Sequence, residues 1–219
     1  EIFLVKINSI SNGAFKNNNE TKTVFIPSYI NSIGLNAFEN CGNLEKINIG
    51  ANINYISRET FKNCINLNSV EIGSSVLTIG PNAFENCVSL NKIIIPKNII
   101  QIGENAFSNC NNLSNVIILN DSHNITMLGN NAFSGCSQNL KIQIPKRRYI
   151  DYCTAINWND YGSNIVTDVE FEEINFTFLA EEFEAEVKKQ AQEAEKEMMV
   201  VSAIAEKGDE EYEIRFCNG

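Results

Sequence analysis

Five phenylalanines, Phe15, Phe38, Phe61, Phe84 and Phe107, stand 23 residues apart, and a sixth, Phe133, follows after 26. Cys41, Cys64, Cys87 and Cys110 keep the same beat, with Cys136 again three residues late. A fixed period of roughly 20–50 residues is the mark of a solenoid, in which one supersecondary unit is repeated and stacked. The remaining apolar positions fall into line once the repeats are aligned. Leu44, Leu67, Leu90 and Leu113 come three residues after each cysteine. Alternating pairs follow: Ile47/Ile49, Val70/Ile72, Ile93/Ile95 and Val116/Ile118. A turn residue comes next, at Pro27, Gly50, Gly73, Pro96 and Pro145, and then a second apolar pair such as Ile30/Ile33, Ile53/Ile56, Val76/Ile79 or Ile99/Ile102. The alternation predicts a short half-buried strand in every repeat. About seven apolar side chains per repeat recover on the order of 10–20 kcal/mol of gross burial. Ordering the backbone costs roughly 1–2 kcal/mol for each residue of the repeat. One repeat therefore cannot fold alone, and neighbours must share a core.

The pattern C-x-x-L-x-x-I-x-I-P, then I-G-x-x-A-F, resembles the BspA-like leucine-rich-repeat family. The stretch CVSLNKIIIPKNIIQIGENAFSNC, from Cys87 to Cys110, follows it almost position for position. The resemblance covers residues 1 to about 166. It departs where Asn18 replaces Cys, where Thr21 replaces Leu, and where three extra residues enter around NDSHNIT. It implies a mainly β solenoid with parallel strands on one face, about six repeats plus an N-terminal partial one, used for binding rather than catalysis. Members of the family are typically surface-exposed binders of host proteins.

In such a stack the equivalent thiols form a column, because parallel strands lie about 4.8 Å apart. A straight column cannot close a tetrahedron around zinc, and no C-x-x-C pair exists, so no metal site is expected. The spacing falls within the Cα range of disulfides, so distance alone leaves bridges open. Side chains of stacked rungs run parallel rather than facing, and seven cysteines is an odd number. Buried thiols acting as small apolar groups are the favoured reading.

The two ends read differently. Subtracting one period places Phe3, Ile7 and Ile10 on core positions, so Glu1 would sit within a strand, with no initiator Met, signal peptide or polar cap. The expectation is a fragment or processed product with earlier rungs upstream. The array is assigned to residues 1–145. After its last strand comes KRRYIDYCTAINWNDYGSNIV, with Tyr149, Tyr152, the only Trp (Trp158) and Tyr161. Residues 146–166 are therefore expected to form an aromatic lid on the end of the core.

Residues 167–219 change character. Residues 1–166 hold 12 Lys/Arg against 11 Asp/Glu, whereas the remaining 53 hold 5 against 16, so the whole net charge of −10 resides in the tail. Alternation in VEFEEINFTFL is followed by an apolar stripe at Phe183, Val187, Ala191, Ala194 and Met198 and by a hairpin pattern around Lys207-Gly208-Asp209. The tail is expected to be a small acidic β-α-β-β unit or extension. Its charge argues against nucleic acid and anionic membranes. No run approaches the length of a membrane span.

Catalytic signals are missing. The only histidine, His123, lies in the three-residue insertion, and no phosphate loop, H-E-x-x-H or EF-hand spacing is present. No enzyme and no cofactor are expected. What remains is surface. The outward positions of the strands are Thr23/Phe25, Lys46/Asn48, Ser69/Glu71, Lys92/Ile94, Asn115/Ile117 and Lys141/Gln143. From these, Phe25, Asn48, Glu71, Lys92, Ile94, Asn115, Ile117 and Gln143 are the candidate partner-binding residues. Ile94 and Ile117 are expected to form an exposed apolar pair with a polar rim. The insertion Asn120–Asn124 with His123 is the second candidate, since array insertions map to loops on one face. The expected partner is another protein: a host or matrix protein if the chain is a cell-surface or secreted adhesin, or an assembly component if it is a cytoplasmic scaffold.

Overall fold

A computed structural model of the chain describes residues 8–167. The expected tail unit and core positions Phe3 and Ile7 lie outside the described residues. Each turn of the coil contributes one strand to each of two parallel ladders, as the alternating apolar pairs require. The principal ladder is made of β2 (Thr23–Phe25), β4 (Lys46–Ile49), β6 (Ser69–Ile72), β8 (Lys92–Ile95), β10 (Asn115–Ile118), β12 (Lys141–Gln143) and β13 (Ile165–Val166). The second is made of two-residue strands: β1 (Ser9–Ile10), β3 (Ser32–Ile33), β5 (Tyr55–Ile56), β7 (Thr78–Ile79), β9 (Gln101–Ile102) and β11 (Met127–Leu128). The chain is a parallel-strand β-solenoid.

Register follows the sequence period. Lys46, Ile47, Asn48 and Ile49 face Ser69, Val70, Glu71 and Ile72, and Asn115 to Ile118 face Lys92 to Ile95. Ladder hydrogen bonding pauses between β6 and β8 and between β3 and β5, although these strands remain side by side. The core columns run through those pauses without interruption. Successive phenylalanine rings from Phe15 to Phe133 stack at centroid distances of 5.0, 5.4, 5.2, 5.2 and 5.5 Å with interplanar angles of 15° or less. Beside them the cysteine column is buried through its first four members, Cys41 to Cys110, and half-buried at Cys136.

The six cysteines of the described residues are free thiols, and each thiol of the column has a partner. Cys41, Cys64, Cys87, Cys110 and Cys136 each donate to the carbonyl of the phenylalanine one rung back, namely Phe15, Phe38, Phe61, Phe84 and Phe107, at 3.1–3.3 Å. The thiol thus fills apolar volume and adds a second donor to a carbonyl that already accepts the backbone N–H three residues on, at 3.0–3.3 Å. Sharing a hydrogen bond with Cys41, together with burial, pushes the Cys64 thiol up, while burial alone is the main cause at Cys87 and Cys110. Cys136, nearer the surface, is pushed up to about 12. At neutral pH these four thiols are protonated and inert.

Asparagine makes the tight turns possible. Positions before Ala-Phe (Asn36, Asn82, Asn105, Asn131) and before Cys (Asn17, Asn40, Asn63, Asn86, Asn109) all have φ between 52° and 64°. Asparagine tolerates this left-handed region better than most residues with a side chain. The second set also forms an amide ladder: Asn86 donates to Asn63, Asn63 to Asn40 and Asn40 to Asn17, at 2.7–2.9 Å. Gly103 is required for a different reason, since a Cβ there would lie 2.6 Å from the backbone nitrogen of Pro81 on the previous rung.

Beyond the last full rung the chain supplies what a further rung would have given. Every phenylalanine from Phe15 to Phe107 donates its N–H to the next rung's residue 22 or 25 positions on, at 2.8 Å. Phe133 donates instead to the Tyr161 hydroxyl at 3.2 Å. The Trp158 ring sits 6.3 Å from Phe133, and β13 pairs in parallel with β12. A short helix, α1 (Tyr149–Thr154), carries Tyr152, whose ring meets Trp158 edge-on at 4.9 Å. Both rings are fully buried.

Candidate functional site

The outer face of the principal ladder presents two columns, because alternate residues of each strand point away from the core. One runs Thr23, Lys46, Ser69, Lys92, Asn115, Lys141; the other runs Phe25, Asn48, Glu71, Ile94, Ile117, Gln143. All eight strand positions singled out from the sequence lie on this face. Lys92 and Glu71 are exposed, as is Phe25 at 36 %; Asn48, Ile94, Asn115 and Gln143 are half-buried.

One expectation fails. Ile117 is only 6 % exposed, so there is no exposed isoleucine pair. Its place in the ladder gives the reason: Ile94 flanks it on β8 and Gln143 on β12, each one strand spacing away. β10 has a hydrogen-bonded strand on both sides, whereas β6 and β8 stand at the break in the ladder and leave Glu71 and Ile94 more open, an effect that alternation along one strand cannot reveal. The face is consequently polar at its surface, with Ile94 partly accessible.

Charge is distributed with more order than the sequence reading recognised. Asn48 donates to the Glu71 carboxylate at 2.6 Å, so that acid is already engaged. Lys22 pairs with Glu45 at 3.1 Å on the rim of the face. Lys46, Lys92 and Lys141 are exposed and form no ion pair among the described residues. They stand on every second rung of one column. The signal was legible in the alternation Lys–Ser–Lys–Asn–Lys at the first strand position, but a single repeat does not display it.

The insertion is not part of this face. Asn120 is 2 % exposed, and its amide donates to the Asn124 carbonyl at 3.0 Å while its Oδ1 accepts from Ser122. Tyr152 and Trp158 reach back to the carbonyls of Asn120 and Thr126, at 3.4 and 2.6 Å. Arg147 and Arg148 clasp Asp121, and His123 Nδ1 lies 3.1 Å from Arg148. The three extra residues thus form a socket for the terminal aromatic segment. His123 belongs to that socket and is separate from the eight strand residues. A cavity of about 890 Å³ adjoins it, lined in part by His123, Lys146, Arg148 and Tyr149. Two of the three cations there are already held by Asp121 and Asp151, which leaves little net charge to attract a ligand.

Other edges of the coil carry structural ion pairs. Lys16–Glu39 and Lys62–Glu85 close at 2.8 Å. The hydrogen bond from Asn36 holds the Glu59 carboxyl below its ordinary range, and the bond to Glu85 raises Lys62. Among the described residues no group of three or more His, Cys, Asp or Glu could hold a metal ion, and no helix is long and apolar enough to cross a membrane.

Comparison with known proteins agrees with this geometry. A leucine-rich repeat protein from Bacteroides ovatus superposes with a TM-score of 0.55 at 31% identity, over 64% of this chain and 38% of that one. A leucine rich cell surface protein from Faecalibacterium prausnitzii gives 0.50 at 28%, over 63% and 43%. The leucine-rich repeat protein of T. pallidum gives 0.51 at 20% identity, over 71% and 81%, a likeness of fold alone. The chain spans less than half the length of the first two. No curated protein matches it. The sequence profile of the BspA type leucine rich repeat region matches residues 2–114 and 54–183, with six copies. The spacing of phenylalanine and cysteine, the two parallel ladders and this match lead to one conclusion: the chain belongs to the BspA-type leucine-rich repeat family.

Proposed function

We propose that the outer face of the principal ladder docks another protein, and that the chain is a non-enzymatic binding module displayed at the cell surface or secreted. The observation that carries the reading is the pair of outward columns, Thr23 to Lys141 and Phe25 to Gln143, held at constant pitch by continuous core stacks. A rigid, mostly polar face with a partly accessible isoleucine suits recognition of a protein surface, because little ordering entropy is lost on binding. The single histidine sits beside Arg148 in the terminal socket, away from this face. Display outside the cell is supported by the Faecalibacterium prausnitzii relative, described as a cell surface protein. Free thiols do not argue against display outside the cell, since Cys41, Cys64, Cys87 and Cys110 are buried and hydrogen-bonded and so shielded from oxidants.

Photo-crosslinking side chains placed at Ser69 and Gln143 test the docking face, with Glu104 and Ser134 on the phenylalanine-side turns as controls. Protein adducts are expected at the first two positions only. Equal adducts at all four, or none at Ser69 and Gln143, overturn the assignment. Protease treatment of intact cells checks display: the chain should be cleaved without lysis.

A further inference from the structure

Resting on that docking face, the geometry points to a particular partner chemistry: we propose that the face recognises an extended acidic segment with Asp or Glu at every third position. Lys46, Lys92 and Lys141 occupy one outward column on β4, β8 and β12, two rungs apart in each case. Strands of a ladder are about 4.8 Å apart, so the cations recur about every 9.6 Å. The pitch holds across the break between β6 and β8, because the Phe61 and Phe84 rings on either side are 5.2 Å apart, as elsewhere in the stack. Ser69 and Asn115 fill the intervening rungs and offer hydrogen bonds to backbone between the charges.

A polyproline-II segment rises about 3.1 Å per residue with three residues per turn, so every third side chain lies on one face at a spacing of about 9.3 Å. Acids at i, i+3 and i+6 therefore meet the three lysines in register, running along the solenoid axis. A fully extended strand has nearly the same three-residue advance but turns alternate side chains away. Duplex DNA advances about 3.4 Å along its axis for each phosphate of a strand, so most phosphates would stand between the lysines with no cation opposite them. The lysines are available because the acids nearby are engaged elsewhere, Glu45 by Lys22 and Glu71 by Asn48.

The full chain is titrated, by fluorescence anisotropy, with two labelled ten-residue peptides of identical composition, rich in proline. One carries three Asp at every third position and the other three consecutive Asp; heparin serves as a third probe. The spaced peptide should bind about tenfold more tightly than its isomer, and added salt should weaken it. Lys46→Ala, Lys92→Ala and Lys141→Ala should each weaken it roughly two- to fivefold, the range of one exposed ion pair. Lys97→Ala, an exposed lysine off the column, should leave it unchanged, and all four variants should keep the parent melting temperature. Equal affinity for the two peptides overturns the pitch match, and binding of heparin without either peptide overturns the protein segment in favour of a sulfated polysaccharide. If neither peptide binds while crosslinks persist at Ser69 and Gln143, this inference fails and the docking face stands.

Discussion

Replacing Phe84 by alanine tests whether the core is one continuous stack shared between coils. Phe84 is fully buried and stacks on Phe61 and Phe107, each at 5.2 Å. Truncating such a ring costs about 3–5 kcal/mol, at the upper end where rigid neighbours cannot collapse into the gap. Phe15 occupies the equivalent position but is 44 % exposed and stacks on Phe38. With roughly half the burial, Phe15→Ala should cost about 1–2 kcal/mol. At about 2–4 °C per kcal/mol, Phe84→Ala should lower the melting temperature by roughly 10–15 °C and Phe15→Ala by roughly 3–6 °C. Phe84→Leu separates the contributions: it keeps most apolar contact and loses stacking, for about 1–2 kcal/mol. Circular dichroism during heating, repeated in urea, supplies both numbers. Equal losses at Phe15 and Phe84, or a loss below about 2 kcal/mol at Phe84, would refute a shared interior, because burial and stacking both differ between the two sites.

Other perturbations reach the remaining features. Cys64, Cys87, Cys110 and Cys136 are all raised above the ordinary thiol value of 9.0, so their contribution is intact below that pH and is lost above it as the unfolded chain ionises first. Unfolding free energies from urea titrations between pH 7 and 10.5 should be flat up to about pH 9 and then fall by about 1.4 kcal/mol per pH unit for each such thiol, and Cys87→Ala should reduce the slope. Asn63 has φ of 61° and amide bonds to Asn40 and Asn86, so Asn63→Ala should cost about 2–3 kcal/mol and Asn63→Gly, which keeps the turn, about 1 kcal/mol, by chemical denaturation. Trp158→Ala should cost about 3–5 kcal/mol and speed amide exchange at Thr126 and Leu128 most, since the indole caps that turn.

The coil itself could be read from spacing because a solenoid is nearly one-dimensional: each residue's place depends on its position within the repeat and on its equivalents before and after. Phe84 is buried for the same reason as Phe61, and one repeat written under another displays it. The burial of Cys41, Cys64, Cys87 and Cys110 could be read on that logic. The thiols' hydrogen bond to a carbonyl 26 or 29 residues earlier needed the coil closed, since neither the direction of a thiol nor the approach of a carbonyl from the previous rung is written in spacing. Asparagine at positions 36, 82, 105 and 131 falls on an unassigned place of the I-G-x-x-A-F pattern, and only the positive φ of the folded turn shows why it is there.

The candidate face divides along the same line. Which residues point outward follows from alternation along one strand, and the ladder places all eight strand residues on that face. How exposed each one is depends on neighbours across the ladder, so Ile117 is covered while Ile94 remains half-open. The insertion illustrates the limit from the other side. Three extra residues in a repeat suggest a loop offered to a partner, whereas Asn120, Asp121 and Thr126 are spoken for by Tyr152, Arg147 and Trp158 from the segment that closes the stack. Period and alternation are local quantities and set the fold. Exposure and satisfied hydrogen bonds are properties of the assembled coil, because each depends on atoms about 4.8 Å away in space and a whole repeat away in sequence.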